Sequence, residues 1–97
     1  MKPLVFSQKA RSDLRDIALY IADDNPERAQ TYVDELIATA GKAAERPLSF
    51  PARDAISLGL RSALHGRYLI FFRNLSDHVR IVRILHGSRD LNRLLSE

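Results

Sequence analysis

With 97 residues, 45% of them hydrophobic and 28% charged, the chain can build one domain around one core, but not helix layers on both faces of a sheet. The absence of cysteine excludes disulfide frameworks, thiolate metal sites and cysteine nucleophiles, and it allows a reducing compartment. The net charge of +3 is uneven: residues 1 to 59 carry eight Lys or Arg against nine Asp or Glu (−1), whereas residues 60 to 97 carry seven against three (+4), and all seven are arginines.

No apolar run approaches the roughly 20 residues of a membrane span. The start, Lys2-Pro3-Leu4-Val5-Phe6-Ser7, lacks a signal-peptide core, so a cytoplasmic protein is expected.

In chain order, Leu4, Val5 and Phe6 predict a short edge strand. Ser7 stands at an N-cap position, and Ala10, Leu14, Ile17, Ala18 and Ile21 recur at helical spacing, which predicts a helix from about Gln8 to Ala22. Its other face carries Lys9, Arg11, Asp13, Arg15 and Asp16, the mixed-sign pattern of a solvated surface. Asp23-Asp24-Asn25-Pro26 breaks the periodicity and restarts it, because Asn25 can cap and Pro26 suits the first helical position. The second stripe is Ala29, Tyr32, Val33, Leu36, Ile37, Ala40 and Ala44, ended by Arg46-Pro47. So short a break predicts an antiparallel helical hairpin, and the alanines in its stripe allow close packing on a sheet. Gly41 is a weak point worth about 1 kcal/mol relative to alanine, unless close packing requires it.

Residues 46 to 59 read as a loop packed along the sheet edge, with Phe50 and Ile56 as anchors. Then come three strand signals: Arg61-Ser62-Ala63-Leu64, the turn His65-Gly66, the run Arg67-Tyr68-Leu69-Ile70-Phe71-Phe72-Arg73, the turn Asn74-Leu75-Ser76-Asp77, and the run Val79-Arg80-Ile81-Val82-Arg83-Ile84-Leu85. They predict an antiparallel meander. Alternation puts Tyr68, Ile70 and Phe72 on one face and Leu69 and Phe71 on the other. On the last strand it groups Val79, Ile81 and Leu85 with Arg83, and Val82 and Ile84 with Arg80 and His86. Both faces are apolar, so the hairpin is expected to cover one and to leave the other open. A short helix within Arg89 to Leu95 then covers part of the open face, with Ser88 or Asp90 near its start and Leu91, Leu94 and Leu95 turned inward.

The lysine-free basic third points to specific anion contacts through the planar arginine fork, as an alternative to a solvated edge with charged gatekeepers. His78 and His86 lie eight residues apart on one strand, roughly 26 Å at strand rise, and no carboxylate clusters near either, so no metal site and no cofactor are expected.

The order of strand, helical hairpin, loop and meander resembles the RelE/ParE toxin superfamily, in its ParE-like branch. The matching segments run along nearly the whole chain: Ala10-Arg11-Ser12-Asp13-Leu14 with Ile17 and Tyr20-Ile21-Ala22; Asp24-Asn25-Pro26 with Arg28-Ala29; Pro47; Gly59-Leu60-Arg61; His65-Gly66-Arg67-Tyr68-Leu69-Ile70-Phe71; and Val79 through Asp90. One departure is Leu48-Ser49-Phe50, where such toxins have a glycine soon after the proline ending the second helix.

The resemblance implies an α+β fold and the toxin of a type II toxin–antitoxin pair, a single domain over residues 1 to 97 that arrests growth unless bound by a ParD-like antitoxin. An acidic, amphipathic antitoxin segment suits the open face and its arginine rim, with Arg61, Tyr68, Phe72, Arg73, Arg80, Arg83, His86 and Arg89 as contacts. The ParE-like pattern implies inhibition of DNA gyrase, which needs no catalytic residue and no direct sequence-specific contact with nucleic acid. RelE-like relatives instead cleave ribosome-bound messenger RNA; in that alternative Arg61 and Arg83 clamp the phosphate and His86 transfers a proton. Arg89 and Asp90 are either functional or a buried ion pair fixing the C-terminal segment, and Tyr68 is either a contact or a core residue.

Overall fold

The computed structural model describes residues 2–95. Strand β1 (Leu4–Phe6) leads into helix α1 (Gln8–Ala22), then helix α2 (Pro26–Glu45), strands β2 (Leu60–His65), β3 (Tyr68–Asn74) and β4 (Val79–His86), and helix α3 (Leu91–Leu95). Both long helices begin as their cap residues dictate: Ser7 Oγ accepts from the Ala10 N–H, and Asn25 Oδ1 accepts from the Arg28 N–H.

The sheet order is β1-β4-β3-β2. The C-terminal strands form the expected antiparallel meander, and β1 joins its β4 edge in parallel, making the sheet mixed. Gly66 turns β2 into β3 with φ of +59°, the left-handed conformation that glycine adopts without steric cost. An added Cβ there would lie 2.5 Å from the Tyr32 hydroxyl, so Gly66 is also required by packing.

The alternation expected along β4 fails at one residue. Phe71 lies opposite Arg83 but Phe72 lies opposite Ile81, so Val82 is an extra residue on β4 and the parity inverts across it. Ile84 therefore joins Val79, Ile81, Ile70 and Phe72 in the core beneath α1 and α2, while Leu85 joins Leu60, Leu69 and Phe71 on the other side.

That second face is less open than its composition implied. Leu60, Leu69, Phe71 and Leu85 are all buried beneath Ile56 of the long loop and Leu91, Leu94 and Leu95 of α3. The loop straddles the β2 edge, with Phe50 packed edge-on to Phe72 in the helix-side core (5.9 Å, 86°) and Ile56 in the opposite cluster. Its backbone pairs with the strand through the Arg53 N–H to Leu60 O and the Ser62 N–H to Pro51 O.

Candidate functional site

Strand β1 stops at Phe6, so β4 beyond Ile81 has no neighbouring strand on that side, and α1 supplies side chains instead. The Ser7 N–H donates to Ile81 O (2.9 Å) and the Ser7 hydroxyl to Val82 O (2.8 Å). Two turns into α1, Asp13 Oδ2 accepts from the Ile84 N–H (2.9 Å) and from Arg83 Nε (2.8 Å), while Oδ1 accepts from Arg83 Nη2 (2.9 Å). The two side chains retain only 10% and 16% of their exposure. Two expectations change accordingly. Asp13 is not on a solvated face, and Arg83 is not a rim residue awaiting a partner's carboxylate. Together they form a bidentate ion pair that ties α1 to β4 and closes an open strand edge.

Arg61 and Arg73 are likewise engaged. Arg61 Nη1 donates to Phe50 O (2.7 Å), and Arg73 donates to Leu58 O (2.8 Å) and Ser57 Oγ (2.7 Å), so both pin the loop to the sheet. Phe72 is fully buried and belongs to the core, with no surface to offer a partner. Arg61 pairs with Phe72 and His86 with Tyr68, four β3 positions apart, or about 13 Å along the strand. Arg61, Arg83 and His86 therefore do not converge into the phosphate clamp that a nuclease would require.

Arg80 alone of the expected rim on β3 and β4 is exposed. It lines two adjoining hollows on one flank of α1. The first, about 500 Å³, includes Arg11 and Arg15 one helical turn apart; the second, about 290 Å³, includes Lys9, Arg83 and the apolar Val82, Leu94 and Leu95. Cations from α1 and β4 thus border an apolar floor. By sequence Lys9, Arg11 and Arg15 read as ordinary helix surface; their nearness to Arg80 arises from the parallel docking of β1 on β4, which brings α1 alongside.

Tyr68, His86 and Arg89 come together on another side of α1, in a groove of about 760 Å³ that also presents Tyr20, Tyr32 and Arg67. Tyr68 sits edge-on to His86 (5.3 Å) and to Tyr32 (5.9 Å), so it is a packing residue and a groove wall at once. Burial, then the neighbouring Tyr32 and Tyr20, push its phenol above the ordinary value, which disfavours a tyrosinate base. His86 Nδ1 accepts from the Ser88 N–H (3.1 Å) and lies 2.7 Å from Ser88 Oγ; the neutral ring therefore carries its proton on Nε2. Arg89 and Asp90 are both exposed, so they are not a buried pair; Asp90 instead caps α3, with Oδ1 accepting from the Arg93 N–H (3.3 Å). Tyr20, 77% exposed, was the groove residue hardest to foresee, since it lies beside the apolar stripe of α1 and not within it.

A polar clasp borders this groove and joins α2 to the β2–β3 turn. Glu35 accepts from both terminal guanidinium nitrogens of Arg28, Nη1 and Nη2, and meets His65 Nε2 at 2.8 Å, while the Tyr32 hydroxyl donates to His65 O (3.3 Å). The Arg28 hydrogen bonds, then that of His65, hold the Glu35 carboxyl below its ordinary value. Among the described residues, no group of three His, Asp or Glu side chains stands close enough to hold a metal ion, and no helix is long and apolar enough to cross a membrane.

Comparison with known proteins agrees with this architecture. The family model for the ParE toxin of type II toxin–antitoxin systems, parDE, matches residues 4–91. Toxin ParE1 of Caulobacter vibrioides is 35% identical over 89 residues, covering 91% of this chain and 92% of that protein. A chain from the chromosomal ParDE TA system of P. aeruginosa superposes with a TM-score of 0.77 over 89% of this chain and 96% of its own; at 21% identity, that likeness is one of fold.

Proposed function

The chain belongs to the ParE toxin family of type II toxin–antitoxin systems, and from that premise we propose that it arrests growth by inhibiting DNA gyrase and is neutralised by direct binding of an acidic, amphipathic ParD-like antitoxin. What carries the reading is the disposition of the arginines. Arg61, Arg73 and Arg83 are engaged in structural contacts, and none of them faces His86 across a site where a phosphodiester could be cut. Activity without bond chemistry, by occupation of a target surface, fits that arrangement better than messenger cleavage does. Arg80, with Arg11 and Arg15 beside it and Leu94 and Leu95 beneath, offers carboxylates and apolar side chains complementary ground.

The test is direct. Protein freed of antitoxin is expected to block supercoiling by gyrase or to trap gyrase on cut DNA, while leaving ribosome-bound messenger intact. His86→Gln is expected to retain toxicity. If it folds, binds antitoxin and yet loses all toxicity, with codon-specific cuts appearing only in wild-type cells, the nuclease reading replaces this one. For the antitoxin, Arg80→Glu is expected to weaken the complex by about 2 to 5 kcal/mol, the cost of stranding one partner of an interfacial charge pair. Lys42→Glu, on exposed α2 surface, serves as the control, and equal affinities for the two variants would remove the antitoxin from this furrow.

A further inference from the structure

The aromatic groove has no part in the reading above, and its chemistry differs from that of the Arg80 furrow. We propose that it binds a purine nucleotide, the base stacked among Tyr20, Tyr68 and His86 and the phosphate held by Arg67 and Arg89.

The groove's volume of about 760 Å³ falls in the range of small-molecule sites. Its rings come from four different elements: Tyr20 from α1, Tyr32 from α2, Tyr68 from β3 and His86 from β4. Tyr68 and His86 brace each other edge-on, so a base finds two preformed walls, and exposed Tyr20 is the ring that becomes ordered on binding. Aromatic faces of this kind hold bases in single-stranded nucleic acids because every base has a π-face.

The cations differ from the others of the C-terminal third. Arg61, Arg73 and Arg83 are engaged by loop carbonyls, a serine and Asp13, whereas the guanidinium groups of Arg67 and Arg89 are exposed and make no hydrogen bond or ion pair among the described residues. The backbone keeps them together at the rim, since the Gly87 N–H donates to Arg67 O (2.8 Å) and the Arg89 N–H to His86 O (3.0 Å). Planar guanidinium groups are well matched to phosphate oxygens.

Two carboxylates line the same groove. Asp13 is neutralised by Arg83, which leaves Asp16, exposed on α1, as an acceptor for an exocyclic amino group. With its Nδ1 occupied by the Ser88 N–H, His86 presents Nε2–H as a donor for a base nitrogen. An acceptor and a donor beside the rings favour a base with an exocyclic amino group next to a ring nitrogen, and among such bases a groove of about 760 Å³ suits the larger purine. Since Arg61 and Arg83 are held elsewhere, the site binds without cutting.

The experiment is an NMR titration of the folded chain with AMP, adenosine, inorganic phosphate and a tetra-adenylate strand in parallel. AMP is expected to produce saturable shifts at Tyr20, Tyr68 and His86, adenosine the same shifts at lower affinity, and phosphate alone none at the rings. Tyr20→Ala removes one stacking face and is expected to weaken AMP binding between about 5- and 150-fold, the equivalent of about 1 to 3 kcal/mol. Arg89→Gln is expected to weaken AMP but not adenosine, and to flatten the salt dependence. Both positions are exposed, so the variants should keep the wild-type spectrum outside the groove. Much tighter binding of the strand than of AMP identifies a nucleotide within a single strand as the ligand; equal affinities identify the free nucleotide. The proposal is overturned if the ring resonances do not shift saturably with AMP, or if Tyr20→Ala binds AMP as the wild type does.

Discussion

The two faces of the sheet are closed by unequal means. On one, Ile70, Phe72, Val79, Ile81 and Ile84 lie beneath two long capped helices; on the other, Leu60, Leu69, Phe71 and Leu85 lie beneath a loop residue and the leucines of a five-residue helix. The difference teaches that apolar sequence on both sides of a strand does not call for two equal layers. A thin cover suffices where the loop is pinned by arginine side chains. The seam between the faces, where β1 runs out, is held by a charge pair.

That seam should give the largest effect. Arg83→Glu would set two carboxylates against each other in a site nearly closed to water, and breaking such a pair costs about 3 to 5 kcal/mol. Since small domains are stable by about 5 to 15 kcal/mol, the variant is expected to be largely unfolded or strongly destabilised in urea titration. Swapping the charges with Asp13→Arg and Arg83→Asp is expected to recover only part of the loss, because Asp13 also accepts the Ile84 N–H. Full recovery would mean that the edge cap contributes nothing.

The comparison of faces is broken or sharpened by two truncations. Phe72→Ala, beneath the helices, is expected to cost about 3 to 5 kcal/mol. Leu94→Ala, half-buried on α3, removes far less area from a cover that can shift, and is expected to cost about 1 kcal/mol. Equal losses by chemical denaturation would make α3 as integral to the core as the helical hairpin.

Gly41→Ala should move stability the other way. Nothing lies within 4 Å of a Cβ at Gly41, so the close packing that would have justified glycine is absent. A gain of about 1 kcal/mol is expected in thermal or urea unfolding. No gain would show that α2 is already as ordered there as packing can make it.

The smallest effect concerns acid. Glu35 has a folded-state pKa below its ordinary 4.5, so its contribution is complete above that value and is lost as pH falls through the lower folded one. The α2 clasp on the β2–β3 turn is expected to open in that window while the sheet core stays protected. Hydrogen exchange at His65 to Arg67 against that at Ile70 to Phe72 measures it, and simultaneous loss of protection at both would show a clasp no weaker than the core.

Much of the architecture was legible from local chemistry. Ser7 and Asn25 marked both helix starts, the stripes from Ala10 to Ile21 and from Ala29 to Ala44 marked the buried faces except at Ile37, which is exposed, and the glycine turn and alternating runs marked the meander. These features act within a few residues of each other, so the sequence alone determines them, and the family resemblance followed from their order. Tertiary structure decided the rest. A single extra residue, Val82, inverts side-chain parity along β4, and nothing in an unbroken apolar run announces where a bulge will fall. Asp13 looked solvated among its charged neighbours, although it lies three residues from buried Ala10 and four from buried Ile17, a spacing that places it at the edge of the buried stripe. Which arginines are free could not be read from a list of arginines, because each is settled by a carbonyl or carboxylate that the fold brings from 11 to 70 residues away. Helical period, caps and turns are short-range and written in the chain; charge partners and the sharing of a groove are long-range and exist only once the sheet has closed.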